Sequence, residues 1–379
     1  MKKIPLSLYI HVPWCVRKCP YCDFNSHAKQ GALPEIDYVD RLLTEVHTQA
    51  PHLENRSIHS IFIGGGTPSL FSPNAYEKLF NGLYAFLSFE HEIEITLEAN
   101  PGTVEQKRFY AYRQLGINRL SLGIQSFNHE KLKRLGRIHD GEQALRAIDS
   151  AKTSGFTNFN LDLMFGLPNQ TLDEAMLDIK KATDCKPTHL SWYQLTIEPN
   201  TYFYKKPPTL PEDDYLFEIQ SQGQQWLTEN NFIQYEISAY SQPTFNCQHN
   251  LNYWEFGDYL GIGAGAHSKL TDLKAGQITR HWNEKNPKNY LDPQKSFIEN
   301  KKQLNAEELP LEFMMNALRL KKPIPKKLFT ARTGLPIKQL NPGMKKAVTD
   351  GWIHEQNDSW QVTDFGYRFL NDLLETWVQ

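Results

Sequence analysis

Leu6-Ser7-Leu8-Tyr9-Ile10-His11-Val12-Pro13-Trp14-Cys15-Val16-Arg17-Lys18-Cys19-Pro20-Tyr21-Cys22 begins as an apolar run and ends in three closely spaced cysteines. The run Leu6 to His11 is short and apolar, which predicts a β-strand that Pro13 ends. The loop after it carries Cys15-x-x-x-Cys19-x-x-Cys22. Thiolates are soft ligands that suit iron-sulfur clusters or zinc, and three in one tight loop can hold three corners of a cubane, with the fourth left open. The same residues also read as a Cys3His zinc site with His11 or His27 as fourth ligand. Zinc motifs usually come as two separated cysteine pairs, and no second Cys or Cys-His pair follows here. Cys185 and Cys247 complete an odd total of 5 cysteines, which argues against a disulfide framework and for metal ligation in a reducing compartment.

Downstream of this stretch, short apolar runs alternate with longer segments of helical period, the pattern of repeated β-α units around a parallel sheet. The expected strands are Leu6 to His11, Ser60 to Ile63, Glu94 to Glu98, Arg119 to Ile124, Asn160 to Phe165 and Leu190 to Leu195. Amphipathic segments lie near 36–49, 73–87, 104–115, 141–154, 171–183 and 213–230. Six units predict an α/β fold, a partial (β/α)6 barrel over residues 1–235, with chemistry at the strand C-termini. The polar and glycine-rich residues fall there: the cysteine loop, Gly64-Gly65-Gly66-Thr67-Pro68, Glu98, Gln125 and Asp162.

Residues 236–379 change in character to short strands, glycine-rich and aromatic loops and a helical stretch from Glu307 to Leu320. This predicts a C-terminal α+β domain. Its end reads as helices Lys326 to Arg332 and Ile337 to Asp350, a hairpin Trp352 to Val362 and a helix Phe365 to Trp377, a winged-helix-like order. A length of 379 residues accommodates these two domains, and a net charge of −2 offers no basic surplus for phosphates, so no nucleic-acid partner is expected. Met1-Lys2-Lys3 begins like a signal peptide, but Pro5 and His11 interrupt the apolar stretch and no small-residue cleavage site follows. No apolar run reaches the roughly eighteen residues of a membrane span, so a cytoplasmic protein is expected, with any membrane contact peripheral.

With its aromatic before the last cysteine, Cys15-x-x-x-Cys19-x-Tyr21-Cys22 resembles the signature of the radical S-adenosylmethionine (SAM) superfamily, and the Gly64 to Pro68 segment resembles that superfamily's glycine-rich turn. The resemblance implies a 4Fe-4S cluster on Cys15, Cys19 and Cys22 whose open iron takes the amino and carboxylate groups of SAM. Tyr9-Ile10-His11-Val12-Pro13-Trp14-Cys15, Gly123-Ile124-Gln125-Ser126-Phe127 and Asp162-Leu163-Met164-Phe165-Gly166-Leu167-Pro168 narrow it further. Together they resemble the oxygen-independent coproporphyrinogen III oxidase group over most of the chain. That resemblance places Tyr9 near the cluster, gives Gly65, Gly66 and Thr67 to SAM, and completes the SAM pocket with Glu98, Gln125, Arg137 and Asp162. The residue types suit these roles: carboxylates accept from ribose hydroxyls or an ammonium, Arg137 can pair with a carboxylate, and Gln125 both donates and accepts. Arg137 also reads as a solvated surface charge.

Two features resemble the haem-chaperone branch of this group rather than the oxidases. Asp23-Phe24 follow Cys22, where the oxidases typically carry a further cysteine at the Phe24 position, and the oxidases have a longer extension before the cluster loop than a start at Met1 supplies. His249-Asn250-Leu251-Asn252-Tyr253-Trp254 resembles the HNxxYW motif of the chaperones. A neutral imidazole ligates haem iron well and aromatic neighbours offer a porphyrin a flat surface, so His249 is the candidate haem residue, with a packing histidine as the plainer reading. Cys247 reads as a buried inert thiol, and no Cys-x-x-Cys-His attachment motif is present. Gly261 to His267 lacks the spacing of a dinucleotide turn and reads as a packed segment bordering the site, with His267 a secondary candidate.

The expected function is therefore that of a chaperone that binds haem as cargo and delivers it to haem-requiring respiratory proteins, using a SAM-binding 4Fe-4S cluster. Peripheral membrane association and a homodimer stay open. The enzyme alternative is radical-SAM oxidative decarboxylation of coproporphyrinogen III, and a third reading is a zinc-stabilised nucleic-acid-binding module.

Overall fold

The computed structural model describes residues 4–102 and 105–378; Met1-Lys2-Lys3 and the first residue of the segment expected at 104–115 lie outside the described residues. Six strands follow one another as β1 (Leu6–Val12), β2 (Ser57–Gly65), β3 (Ser88–Ala99), β4 (Arg119–Gln125), β5 (Asn158–Phe165) and β6 (His189–Gln194). Every neighbouring pair among them is parallel. Helices α1 (Glu35–Gln49), α2 (Pro73–Phe86), α3 (Glu105–Gln114), α4 (Gly141–Thr153) and α5 (Leu172–Asp184) form the crossovers, and α6 (Asp213–Glu229) follows β6. Capping boxes fix where two of them start, Asp140 with Gln143 on α4 and Thr171 with Glu174 on α5.

The strands divide their side chains between two faces, as a period of two requires. Leu6, Leu8 and Ile10 join Ile61, Ile63, Leu97, Leu120, Leu122, Leu161 and Leu163 in one apolar core under the helices, where Tyr38, Val39, Leu42 and Val46 of α1 also pack. The other face is polar and hydrogen-bonded along its length. Ser7 meets Ser60 at 2.8 Å, Ser121 donates to Asp162 at 3.0 Å, and Asn160 Oδ1 accepts from His189 Nδ1 at 2.7 Å. Buried polar groups are tolerated because they are paired in this way.

Beyond the six strands the same sheet continues at both edges. β7 (Ile233–Gln234) and β8 (Ala239–Ser241) add antiparallel beside β6. On the far side β9 (Asp258–Ile262) runs parallel to β1, followed by antiparallel β10 (His267–Asp272), β11 (Gln277–Asn283) and β12 (Ile298–Gln303). The result is a 12-stranded sheet in the order β12-β11-β10-β9-β1-β2-β3-β4-β5-β6-β8-β7. The division drawn at residue 235 falls between β7 and β8 of this sheet. A second core of Phe256, Phe313, Phe329, Leu340, Met344, Trp360 and Trp377 organises the C-terminal part. There the helices Lys326–Thr333 and Asn341–Thr349 precede a hairpin of Ile353–Glu355 with Ser359–Val362. The last helix, expected as one piece over Phe365 to Trp377, is two pieces, Asp364–Arg368 and Leu370–Glu375, because the backbone at Phe369 leaves the helical region. Among the described residues no helix is long and apolar enough to cross a membrane.

Asp258 locks β9 to its neighbours. Its fully buried carboxylate receives Lys269 Nζ at 2.7 Å, Arg56 at 2.7 Å, and the Thr271 main-chain N–H and hydroxyl, each at 2.8 Å. Burial by itself would raise this carboxyl, but the charges of Lys269 and Arg56 outweigh it and hold it below the usual carboxylate range. Asp258→Ala leaves Lys269 buried without its counter-charge and is expected to cost about 3–5 kcal/mol in urea unfolding. Because the folded carboxyl sits below its unfolded value, its contribution is present above the unfolded pKa and is lost as pH falls through the folded one. The wild-type advantage over Asp258→Ala should thus shrink in acid; an advantage that does not change with pH would contradict this.

Candidate SAM and cluster site

The chain leaving β1 and the turn leaving β2 are joined main chain to main chain. Gly66 N–H donates to the Val12 carbonyl at 2.8 Å and Thr67 N–H to the Trp14 carbonyl at 2.8 Å. The contact is close enough to exclude a side chain: a Cβ on Gly66 would lie 2.6 Å from the Trp14 carbonyl oxygen, and one on Gly65, whose φ is +109°, would lie 2.5 Å from the His11 ring. The glycines are therefore demanded first by the protein's own packing. Pro13 and Cys15 carbonyls accept from His27 and Lys29, so the cluster loop is pinned where it leaves and where it returns.

A cavity of about 500 Å3 opens at the C-terminal ends of β2 to β6, with Cys15, Cys19, Cys22, Gly65, Gly66, Thr67, Glu98, Gln125, Arg137 and Asp162 in its wall. The three cysteines are half-buried and free of disulfides. Among the described residues they do not converge as a group of ligands for one metal ion. A relay of hydrogen bonds ties two of the thiols together through the barrel. Thr67 Oγ1 donates to Cys15 Sγ at 3.4 Å and accepts from Asn100 Nδ2 at 2.9 Å; Asn100 Oδ1 accepts from Arg137; and Arg137 reaches Cys19 Sγ at 3.8 Å. Arg137 also donates to the Gly123 carbonyl at 2.8 Å, so it is a half-buried, hydrogen-bonded guanidinium beside the cluster loop and not a solvated surface charge.

Two carboxyls face this cavity from neighbouring strands. Glu98 accepts from Gly65 N–H at 3.2 Å, and burial, with the nearby charge of Asp162 second, pushes it up to about 8. Burial likewise raises Asp162, which accepts from Ser121 at 3.0 Å and Asn160 at 2.8 Å. Carboxyls whose charged form burial disfavours mark a place where a cation would be welcome, and SAM carries both a sulfonium and an ammonium. Gln125 enters the cavity from a left-handed backbone position, φ 67°, where the β4 to β5 register shifts, and its Oε1 accepts from Tyr193 at 2.9 Å. The residue set present fits a cluster with SAM against it.

Two expected residues stand elsewhere. Tyr9 points from β1 into a second cavity, of about 620 Å3, which shares Gly65, Glu98, Asp23, Phe24 and Ser26 with the first. His249 lies on the short helix α7 (Gln248–Trp254), buried against that cavity's wall. Its Nδ1 is 3.1 Å from Ser60 Oγ and its Nε2 is 2.7 Å from the Tyr253 hydroxyl, so both ring nitrogens are engaged. Burial draws its pKa down to about 3, which keeps the ring neutral. Tyr253, not His249, faces the open space. Cys247 is fully buried, its thiol pushed up to about 12 by burial. Sequence reading missed Asn100 and Tyr193. Asn100-Pro101 just past a strand end was a signal for the first; for Tyr193, no sequence motif marked it as the partner of Gln125.

Comparison with known proteins matches residues 9–182 to the Radical SAM superfamily and residues 304–369 to the HemN C-terminal domain. The chain is 50% identical over 378 residues to the haem chaperone HemW of Escherichia coli, covering 100% of this chain and 99% of that protein. It is 52% identical over 378 residues to HemW of Haemophilus influenzae, covering 99% and 98%. HemW of Bacillus subtilis is 32% identical over 377 residues, covering 97% and 98%. Among solved structures, the coproporphyrinogen III oxidase HemN of Escherichia coli superposes with a TM-score of 0.84 at 23% identity, covering 99% of this chain and 90% of that one, which is a likeness of fold.

The raised Glu98 carboxyl carries a pH dependence. It gains its negative charge only as pH rises through about 8, so affinity for cationic SAM is expected to increase across that range and to become flat in Glu98→Gln. Equilibrium dialysis of SAM against pH for both proteins reads this directly; equal slopes would remove Glu98 from the binding site.

Proposed function

Since the chain belongs to the HemW family within the radical SAM superfamily, we propose that it is a haem chaperone, binding haem and passing it to haem-requiring respiratory proteins in the cytoplasm. The full-length match to chaperones of that name, running through both the cysteine loop and the HNxxYW segment, is the observation that carries this reading. Cys15, Cys19 and Cys22 would hold a 4Fe-4S cluster, which supplies the electron for cleaving a bound sulfonium. Gly65, Gly66 and Thr67 form the turn against which SAM lies, Glu98 and Asp162 balance its positive charge, and Arg137 and Gln125 close the pocket. Tyr9 contributes from the adjoining cavity, close enough to Glu98 to feel its charge.

His249 contributes to haem binding through the side chain it holds. Its imidazole fixes the Tyr253 hydroxyl, and Tyr253 presents its ring to the second cavity beside Tyr259, with ring centroids 4.4 Å apart. Delivery to membrane-bound recipients would occur by peripheral contact, which flotation with lipid vesicles can detect.

Titration of the cluster-reconstituted protein with haem under anaerobic conditions, followed at the Soret band, should give saturable binding that weakens in His249→Ala. No saturable binding in wild type would sink the chaperone reading. In the same preparation, SAM and a reductant with coproporphyrinogen III should yield no decarboxylated tetrapyrrole; its formation would restore the oxidase alternative.

A further inference from the structure

The second cavity adjoins the SAM pocket and has a wall of its own on the side of the C-terminal strands. Its volume of about 620 Å3 lies within the roughly 300–1,000 Å3 of ordinary ligand sites. Tyr9, Tyr253 and Tyr259 supply aromatic wall, Lys18 and Lys285 stand at the rim with Asp23, and His267 projects from the first position of β10. Of the cavity's histidines, two are occupied. His11 is buried with Nδ1 3.0 Å from the Tyr9 hydroxyl and Nε2 2.9 Å from the Asn25 carbonyl, and His27 has Nε2 3.3 Å from Asn25 Oδ1. His249, behind Tyr253, has both nitrogens bonded.

His267 is different in kind. It is exposed, and among the described residues neither ring nitrogen has a hydrogen-bond partner. Its ring is nonetheless fixed. It pairs across the ladder with Trp282 of β11, and the two rings stack at 5.9 Å and 23°. The lysines complement it. Neither Lys18 nor Lys285 is in an ion pair among the described residues, although Lys18 Nζ donates to the Phe24 carbonyl at 3.0 Å.

The geometry points to the second cavity as the haem site, with His267 as the iron ligand, the tyrosines against the porphyrin face, and Lys285 and Lys18 placed for its carboxylates. The inference rests on the chaperone reading and makes it specific. A site on a rigid antiparallel ladder, with an imidazole stacked on an indole, is preorganised; a free side-chain nitrogen faces the space where His249 offers none. The shared wall of Gly65 and Glu98 then sets haem beside the SAM pocket.

The test compares haem with metal-free protoporphyrin IX on the full-length, cluster-reconstituted protein. His267→Ala is expected to weaken haem binding by about tenfold or more, with a changed Soret band that added imidazole restores, and to leave metal-free porphyrin binding near wild type. Lys285→Ala is expected to weaken both. Because His267 is exposed, its truncation should leave the thermal melt unchanged, and imidazole rescue separates a lost ligand from a damaged fold. Wild-type haem affinity and spectrum in His267→Ala would overturn the ligand assignment while leaving the chaperone reading intact. Absence of haem binding in wild type would remove both together.

Discussion

The main-chain contact between the turn after β2 and the chain leaving β1 governs the rest of the site. Val12 and Trp14 offer their carbonyls, and Gly66 and Thr67 come close enough to take them only because no Cβ stands between. Once that contact is made, Thr67 meets Cys15, Gly65 presents its N–H to Glu98, and Asn100 can bridge Thr67 to Arg137 and so to Cys19. A loop of three half-buried thiols has little packing of its own to define its shape. Here its shape is imposed by hydrogen bonds from three different strand ends, which is the kind of support that preorganised sites require.

The barrel's two faces follow opposite rules. On the helix side, apolar side chains close a continuous core; on the inner side, serines, asparagines, carboxyls and imidazoles are buried together and must satisfy one another. The chain from Asn252 to Ser7 to Ser60 to His249 to Tyr253 is the clearest case. It joins a helix from the C-terminal half to the first two strands of the barrel and ends on a tyrosine at a cavity wall. A histidine whose motif suggests a ligand is, in this arrangement, the strut that orders the surface of a binding space.

The C-terminal strands matter for the same reason. By adding β9 to the free edge of β1, the chain carries β10 and β11 alongside the barrel mouth, and Asp258 fixes that junction with two cations and a threonine. His267 and Trp282 thereby reach the flank of the cluster loop, where Asn25 hydrogen-bonds the Ala264 and Lys285 carbonyls at 2.9 Å each. Two cavities result, side by side, with Glu98 and Gly65 between them.

What the sequence by itself determined was local: the six strands and their helices, read from apolar runs and amphipathic periods, and the three thiols and the glycine turn, read from spacing. These are set by interactions among residues close in the chain, so they leave a pattern in it. Only the tertiary structure decided that Arg137 reaches Cys19, that Asn100 and Tyr193 belong to the site, that Tyr9 looks into a different cavity, and that His249 is enclosed while His267 is open. Each of those outcomes depends on which side chain meets which across strands distant in sequence. Hydrogen-bond satisfaction in a buried face is a property of the assembled sheet, and no window of the sequence contains it.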